Sequence, residues 1–295
     1  MNDRVAASLA PTYRVLRRVR RRVRLVRWSA YNRRELARLR ANNDLRSRQL
    51  ADALTAAIGD AMRDEELEAI ARIERSRATL ERSPLPLRRS PRTFPRRPEG
   101  KRWPSTITVG RAARYASVHE AWGRLLFALV RAASPAYVLE LGTAIGISGA
   151  YISTALALDG RGRLVTMEAN SDLAAQAGWL FDHLGLLNVE QRVEWITAES
   201  LAEVCRSYGP IDFAYVDAIK DGDVLLDMHR HLSEQASSDA IIIYDDIDWS
   251  GEMIAVWAAI QNEPSVATSI DLGRMGIVVV NRPRPEHSRV SLHIY

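Results

Sequence analysis

The segment Tyr137–Gly149, YVLELGTAIGISG, constrains the fold of this chain more than any other stretch. It opens with a continuous apolar run rather than an alternating one, the pattern of a parallel strand covered on both faces. Glycines follow at 142, 146 and 149, and then an apolar helical pattern. A strand that runs through a glycine turn into a helix is the first unit of an open α/β sheet. In such sheets the ligand lies beyond the carboxyl ends of the strands. The spacing here is GxxxGxxG, which differs from the dinucleotide GxGxxG.

The same alternation continues downstream. The apolar pattern predicts a helix over 118–133 with Trp122, Leu125, Leu126, Leu129 and Val130 on one face. It predicts strands at 136–141, 163–168, 193–196, 211–216 and 239–244, with helices between them. The tail reads differently: Val266–Leu272 and Gly276–Val280 flank the short turn Gly273-Arg274-Met275, a β-hairpin. The expectation for 105–295 is therefore an α/β domain, doubly wound around a mostly parallel seven-stranded sheet with a C-terminal antiparallel hairpin.

Charge divides the chain. Residues 1–104 hold 27 Lys and Arg against 12 Asp and Glu, whereas 105–295 hold 14 against 24. The net charge of +5 hides this split. Residues 1–82 read as a basic helical N-terminal extension. Within 12–40, Val15, Leu16, Val19, Val23 and Val26 recur at helical spacing among arginines. Such a helix suits an anionic membrane surface or a docking partner, and equally a solvated helix. Leu50, Leu54, Ile58 and Met62, then Leu67, Ile70 and Ile73, continue as a helical hairpin or an arm for a homodimer. Residues 83–104 contain six prolines and read as an extended linker. The acidic C-terminal part argues against a nucleic-acid substrate, since phosphate backbones require basic surface. The lone Cys205 excludes an internal disulfide and reads as buried. No apolar run reaches the roughly 20 residues that span a bilayer. A cytoplasmic protein, with peripheral membrane contact as an option, is the expectation.

Two sets of acids carry the chemistry. Glu140 ends the first strand and Glu168 the second, 26 residues after Gly142. A carboxylate at the first position repels a pyrophosphate but favours a cofactor with a sulfonium and an ammonium. One at the second position can accept both hydroxyls of a ribose. Here residues 117–281 resemble the class I S-adenosylmethionine-dependent methyltransferases. The resemblance implies that Glu140, Gly142, Thr143, Gly146 and Ser148 line the methionine part, that Glu168 holds the ribose, and that Ala198 and Glu199 border the adenine. For Gly146 and Gly149, tight helix–strand packing is the competing explanation.

The second set follows later strands: Asp217, with Lys220 and Asp221, and Asp245-Asp246. Carboxylates gathered at one rim repel one another unless a cation joins them, and an all-oxygen set suits Mg²⁺, Mn²⁺ or Ca²⁺. VDAIKD at 216–221 and YDDIDWSG at 244–251 resemble the metal-site motifs of the cation-dependent O-methyltransferases of catechols and caffeoyl esters. That resemblance implies Asp217, Asp245 and Asp246 as ligands of Mg²⁺ or Mn²⁺, with Asp217 also beside the cofactor. It implies Lys220 as the general base, its pKa depressed by burial or the cation, and a small hydroxylated, catechol-like acceptor. Asp246 stands where that family carries Asn, so capping of the helix near Trp249 is an alternative role. Two other readings stay open: a metal-independent methyltransferase of a sugar or secondary metabolite, and a non-catalytic module that binds the cofactor. His229 and His231 are two apart on a helix, so they face different sides and make a poor metal pair. His183 and His119 read as structural residues, with an auxiliary base at His119 as the other option.

Overall fold

A computed structural model describes residues 31–42, 45–59, 62–88, 106–280 and 288–292. Val15, Leu16, Val19, Val23 and Val26 of the basic helix, and most of the 83–104 stretch, lie outside the described residues.

Five parallel strands form the centre of the sheet: β3 (Tyr137–Leu141), β4 (Arg163–Met167), β5 (Val189–Arg192), β6 (Ile211–Val216) and β7 (Ala236–Tyr244). The hairpin strands β8 (Val266–Asp271) and β9 (Gly276–Val280) join through β9, which runs antiparallel to β7. β10 (Ser288–Ser291) adds an eighth strand, parallel to β8, that the sequence pattern did not signal. The order is β10-β8-β9-β7-β6-β3-β4-β5, so the order of strand addition reverses between the parallel neighbours β3 and β6. β5 begins four residues before its expected position. It is a half-buried edge strand, and an edge needs no continuous apolar run, so VEQR does not stand out. The apolar-looking Val193 and Trp195 are exposed in the loop beyond it.

Successive side chains of each strand enter opposite cores. Val138, Leu164, Phe213 and Ile241 face one, and Leu139, Val165, Ala214 and Ile242 the other. α8 (Ala198–Tyr208), α9 (Gly222–Gln235) and α10 (Gly251–Ile260) cover the second face. α5 (Glu120–Ala133), α6 (Ile147–Leu158) and α7 (Ser171–Leu184) cover the first.

The N-terminal helices join that first layer. α1 (31–41), α2 (Leu45–Gly59) and α3 (Asp64–Leu80) put Leu39, Leu50, Leu54 and Ile73 into the core cluster that holds Leu126 and Tyr151. Arg46 Nε of α2 donates to the Asp239 carbonyl at 2.9 Å, and the Tyr151 hydroxyl donates to Glu74 of α3 at 2.6 Å. The expected linker also has structure where it is described. β1 (Pro86–Arg88) pairs antiparallel with β2 (Thr106–Thr108), just before α4 (Val109–Tyr115). Arg88 is tied to α7 through Asp172, and its carbonyl accepts from Asn170 Nδ2 at 2.9 Å. Proline restricts φ and removes a donor, yet Pro86 is tolerated at the first position of this short strand.

Candidate active site

Register puts the carboxyl ends of the five parallel strands in one row. Leu141 lies opposite Met167 and Val216, Met167 opposite Arg192, and Val216 opposite Tyr244. The residues that follow, Gly142, Glu168, Asp217 and Asp245, therefore share one rim. The glycine turn touches the first aspartate loop: a Cβ on Gly142 would stand 3.0 Å from the Asp217 carbonyl carbon and the Ala218 nitrogen. Gly142 has φ of 103° and Gly146 of 87°, conformations that admit glycine readily. Packing adds a second reason at Gly146 and Gly149. Added Cβ atoms would meet Ala177 at 3.0 Å in the first case, and Glu140 Oε2 at 2.8 Å in the second.

Glu140 is fully buried at the end of β3. Its Oε2 accepts the Thr166 hydroxyl at 2.6 Å, and the Thr143 hydroxyl lies 2.5 Å from that of Thr166, so Thr143 donates into the same chain. Glu140 Oε1 has no hydrogen-bond partner among the described residues. Burial pushes the Glu140 carboxyl up to about 7, against the opposing influence of the nearby Ser148 and Thr166 hydroxyls. Glu168 is held by main-chain amides, Oε2 by Ala144 at 3.0 Å and Oε1 by Asn170 at 2.8 Å. Burial raises its pKa as well. Neither acid has an ion pair among the described residues. Two buried carboxylates without a cation fit a cofactor that brings positive charge, and the orphaned Glu140 oxygen fits a donor from it. Thr143 is buried and spent on Thr166, so it positions Glu140. Ala198 and Glu199 are exposed at the start of α8, beyond the end of β5, with Thr197 as the N-cap.

The aspartate set is arranged otherwise. Lys220 Nζ donates to Asp217 Oδ1 at 2.8 Å and stands 2.9 Å from Asp246 Oδ2. Arg274, in the turn between β8 and β9, donates from Nε to Asp245 Oδ1 at 2.9 Å and from Nη2 to Oδ2 at 3.3 Å. The same Nη2 is 3.1 Å from Asp246 Oδ1. The Tyr215 hydroxyl donates to Asp245 Oδ2 at 2.8 Å, and the Asp246 amide to Asp245 Oδ1 at 2.8 Å. Asp245 thus accepts four bonds, the full capacity of a carboxylate.

Three expectations change here. The three aspartates do not fit the expected metal-ligand set, because Asp245 has no acceptor position left and Lys220 fills the space between Asp217 and Asp246. Among the described residues no group of three or more His, Cys, Asp or Glu is arranged to hold an ion. Lys220 is not depressed: Asp217 and Asp246 overcome the burial penalty and hold its pKa above the ordinary value. Burial, with Asp245 and Asp246 adding repulsion, pushes Asp217 up to about 6. Asp246 does not cap the following helix, whose N-cap is Ser250. His119 caps α5, a structural role in line with the main expectation for it. His229 is buried and bonded to the Tyr244 hydroxyl at 2.7 Å, whereas His231 lies exposed beside Glu234.

Sequence reasoning missed Arg274 and Tyr215. The hairpin held the signal for Arg274: Gly276 pairs with Tyr244, and the Ile247 amide donates to the Arg274 carbonyl at 2.9 Å. A turn residue two positions before Gly276 is thereby delivered to Asp245-Asp246.

The family model described as a methyltransferase domain matches residues 139–247, from the first site strand through both acid clusters. Over those residues the chain is similar to methyltransferase domains. Caffeoyl-CoA O-methyltransferase 1 of Arabidopsis thaliana is 24% identical over 165 residues, 55% of this chain and 62% of the relative. Caffeoyl-CoA O-methyltransferase 3 of Nicotiana tabacum is 25% identical over 165 residues, 55% of this chain and 66% of the relative. The chain thus spans less than two thirds of the length of these curated relatives. The O-methyltransferase from Bacillus cereus, solved in complex with SAH, superposes with a TM-score of 0.50 at 20% identity. That match covers 75% of this chain and 92% of the other. This last likeness concerns the fold alone.

Proposed function

We propose that this methyltransferase-like chain is an enzyme that transfers a methyl group from S-adenosylmethionine to an oxygen of a small hydroxylated, catechol-like acceptor. The observation that carries the reading is the contact between the Gly142 turn and the Asp217 loop, which brings an uncompensated acid pair and a buried lysine to one crevice. The similarity to caffeoyl-CoA O-methyltransferases supports the acceptor class.

In this proposal Gly142, Gly146 and Ser148 line the methionine part, with Glu140 beneath it and Thr143 fixing Glu140. Glu168 accepts the ribose hydroxyls, and Ala198 with Glu199 borders the adenine. The bound cofactor supplies an electrophilic methyl group. Asp217 and Lys220 then act as one unit. The Asp217 carboxylate takes the proton of the acceptor hydroxyl, and the Lys220 ammonium steadies the oxyanion as it attacks. Orientation within the crevice supplies much of the acceleration. No step passes through a divalent cation, since the aspartates are already engaged.

The test is transfer of label from methyl-labelled S-adenosylmethionine to a panel of catechols and simpler phenols, with the full chain. A labelled aryl methyl ether is the expected product. Label that moves to no hydroxylated acceptor, with or without added Mn²⁺, would remove the proposal. The arginine-rich arm at 12–40 belongs to a second part of it, attachment to an anionic membrane surface. Sedimentation of the full chain with phosphatidylserine vesicles, against neutral vesicles, checks that part; equal sedimentation with both contradicts it.

No described helix is long and apolar enough to cross a membrane.

A further inference from the structure

We infer that Arg274 is a built-in substitute for a divalent cation: its guanidinium closes the Asp245–Asp246 end of the rim and presents Nη1 to the oxygen of the methyl acceptor.

The geometry of the cluster carries this. Asp217, Asp245 and Asp246 offer six oxygens, and five are engaged by Lys220, Arg274, Tyr215 and one main-chain amide. Lys220 is the bridge between Asp217 and Asp246, and Arg274 the bridge between Asp245 and Asp246. A divalent cation that joined the three carboxylates would have to displace both, and one that joined Asp245 to Asp246 would have to displace Arg274. Each cation is also held in place by the chain. Lys220 is 10% exposed and sits one residue before the α9 N-cap Asp221. Arg274 is pinned by its own carbonyl, which accepts from the Ile247 amide, and by a fork of two bonds to Asp245. A guanidinium suits this place because its planar fork meets a carboxylate with two parallel donors and cannot lose its charge.

One part of Arg274 remains uncommitted. Nε and Nη2 are spent on aspartates, while Nη1 has no partner among the described residues, and the side chain is 39% exposed where its neighbour Asp245 is fully buried. Nη1 carries two N–H groups, so it can hold one acceptor oxygen while Lys220, whose third N–H reaches the Asp245 carbonyl only at 3.5 Å, turns that donor to the other. Two adjacent oxygens on the acceptor would then be gripped by two fixed protein cations, which is the service a metal renders elsewhere. Arg274 is a binding residue in this account, and it touches the acceptor.

The inference rests on the methyl-transfer reading for the identity of the acceptor, but the charge arrangement can be tested without it. The full chain is dialysed against EDTA and titrated calorimetrically with Mn²⁺, and then separately with S-adenosylhomocysteine. The wild type should take up no Mn²⁺ with Kd below about 1 mM, and its melting temperature should not respond to Mn²⁺ or EDTA. Arg274→Ala frees Asp245 and one oxygen of Asp246. It should gain Mn²⁺ binding near one per chain and be stabilised by the ion, with S-adenosylhomocysteine affinity unchanged within about twofold. Arg274→Lys should stay closed to Mn²⁺ while KM for a catechol rises, because a point charge cannot serve aspartates and acceptor together. Uptake of one Mn²⁺ per wild-type chain at micromolar concentration would overturn the inference, and that titration requires no variant to fold. A folded Arg274→Ala chain that binds S-adenosylhomocysteine but no Mn²⁺ would overturn it too. A wild type that refuses both Mn²⁺ and S-adenosylhomocysteine would remove the methyl-transfer reading and leave the closed cluster standing.

Discussion

The two acidic halves of the rim solve the same electrostatic problem in opposite ways. On the glycine-turn side, Glu140 and Glu168 are buried with hydroxyls and amides for company and, among the described residues, no cation. On the other side, Asp217, Asp245 and Asp246 are bound by Lys220 and Arg274. The first half is left short of positive charge, and the second has its charge supplied by the chain itself. A ligand that carries an ammonium and a sulfonium belongs in the first. In the second, the groups that face a ligand are cations, so what suits it is an oxygen that turns negative during reaction. Under the proposed methyl transfer, the contrast assigns the donor to the first half and the acceptor to the second.

The largest break in this comparison comes from Lys220. Lys220→Met should lower kcat by about 10³-fold, the scale of one lost acid–base or oxyanion group, with S-adenosylhomocysteine binding intact. A loss shared equally by cofactor affinity would mean that the two halves are not separate. Glu168→Gln probes the other side. It should weaken S-adenosylhomocysteine by about 30-fold, the cost of charged hydrogen bonds to two hydroxyls, and leave KM for the acceptor nearly unchanged. Calorimetry and steady-state rates separate the two effects.

Acidity sharpens the contrast further. Glu140 is pushed from 4.5 up to about 7 in the folded chain. Between those values the native state holds a proton that the unfolded chain has released, so stability without cofactor should fall as pH rises through that window. Cofactor affinity should move the other way, rising by about tenfold between pH 6 and 8 as the carboxylate that meets the ammonium forms. Glu140→Gln should flatten both profiles, read by urea unfolding and by calorimetry. The smallest expected effect is at Tyr215. Tyr215→Phe removes one donor to Asp245 and should cost about 1 kcal/mol in urea unfolding, because Arg274 still covers both oxygens of the carboxylate.

The halves also differ in how much of them the sequence announced. The glycine turn, Glu140 and Glu168 were legible because strand, turn and acid lie within one local unit whose period and spacing are visible. The central parallel strands read easily for the same reason, since burial on both faces leaves continuous apolar runs. Asp217, Asp245 and Asp246 were legible as acids at strand ends, but not their partners. Arg274 reaches them only through the pairing of β9 with β7, a contact between residues almost thirty positions apart that no local pattern encodes. Lys220 was placed correctly and its proton misjudged, because burial and two nearby carboxylates act in opposite directions and only distances decide between them. The N-terminal helices were read as a separate extension since charge dominates their composition. Their few apolar residues, Leu39, Leu50, Leu54 and Ile73, nevertheless enter the core beneath α5 and α6. Arg88 even reaches the second layer of the cofactor side through Asn170, the residue whose amide holds Glu168.

Calorimetric titration of the full chain with S-adenosylhomocysteine, once in EDTA and once in Mn²⁺, tests the division of the rim most directly. The account predicts one equivalent bound per chain with the same affinity in both buffers. Binding that appears only when Mn²⁺ is restored, or no binding in either buffer, would contradict it.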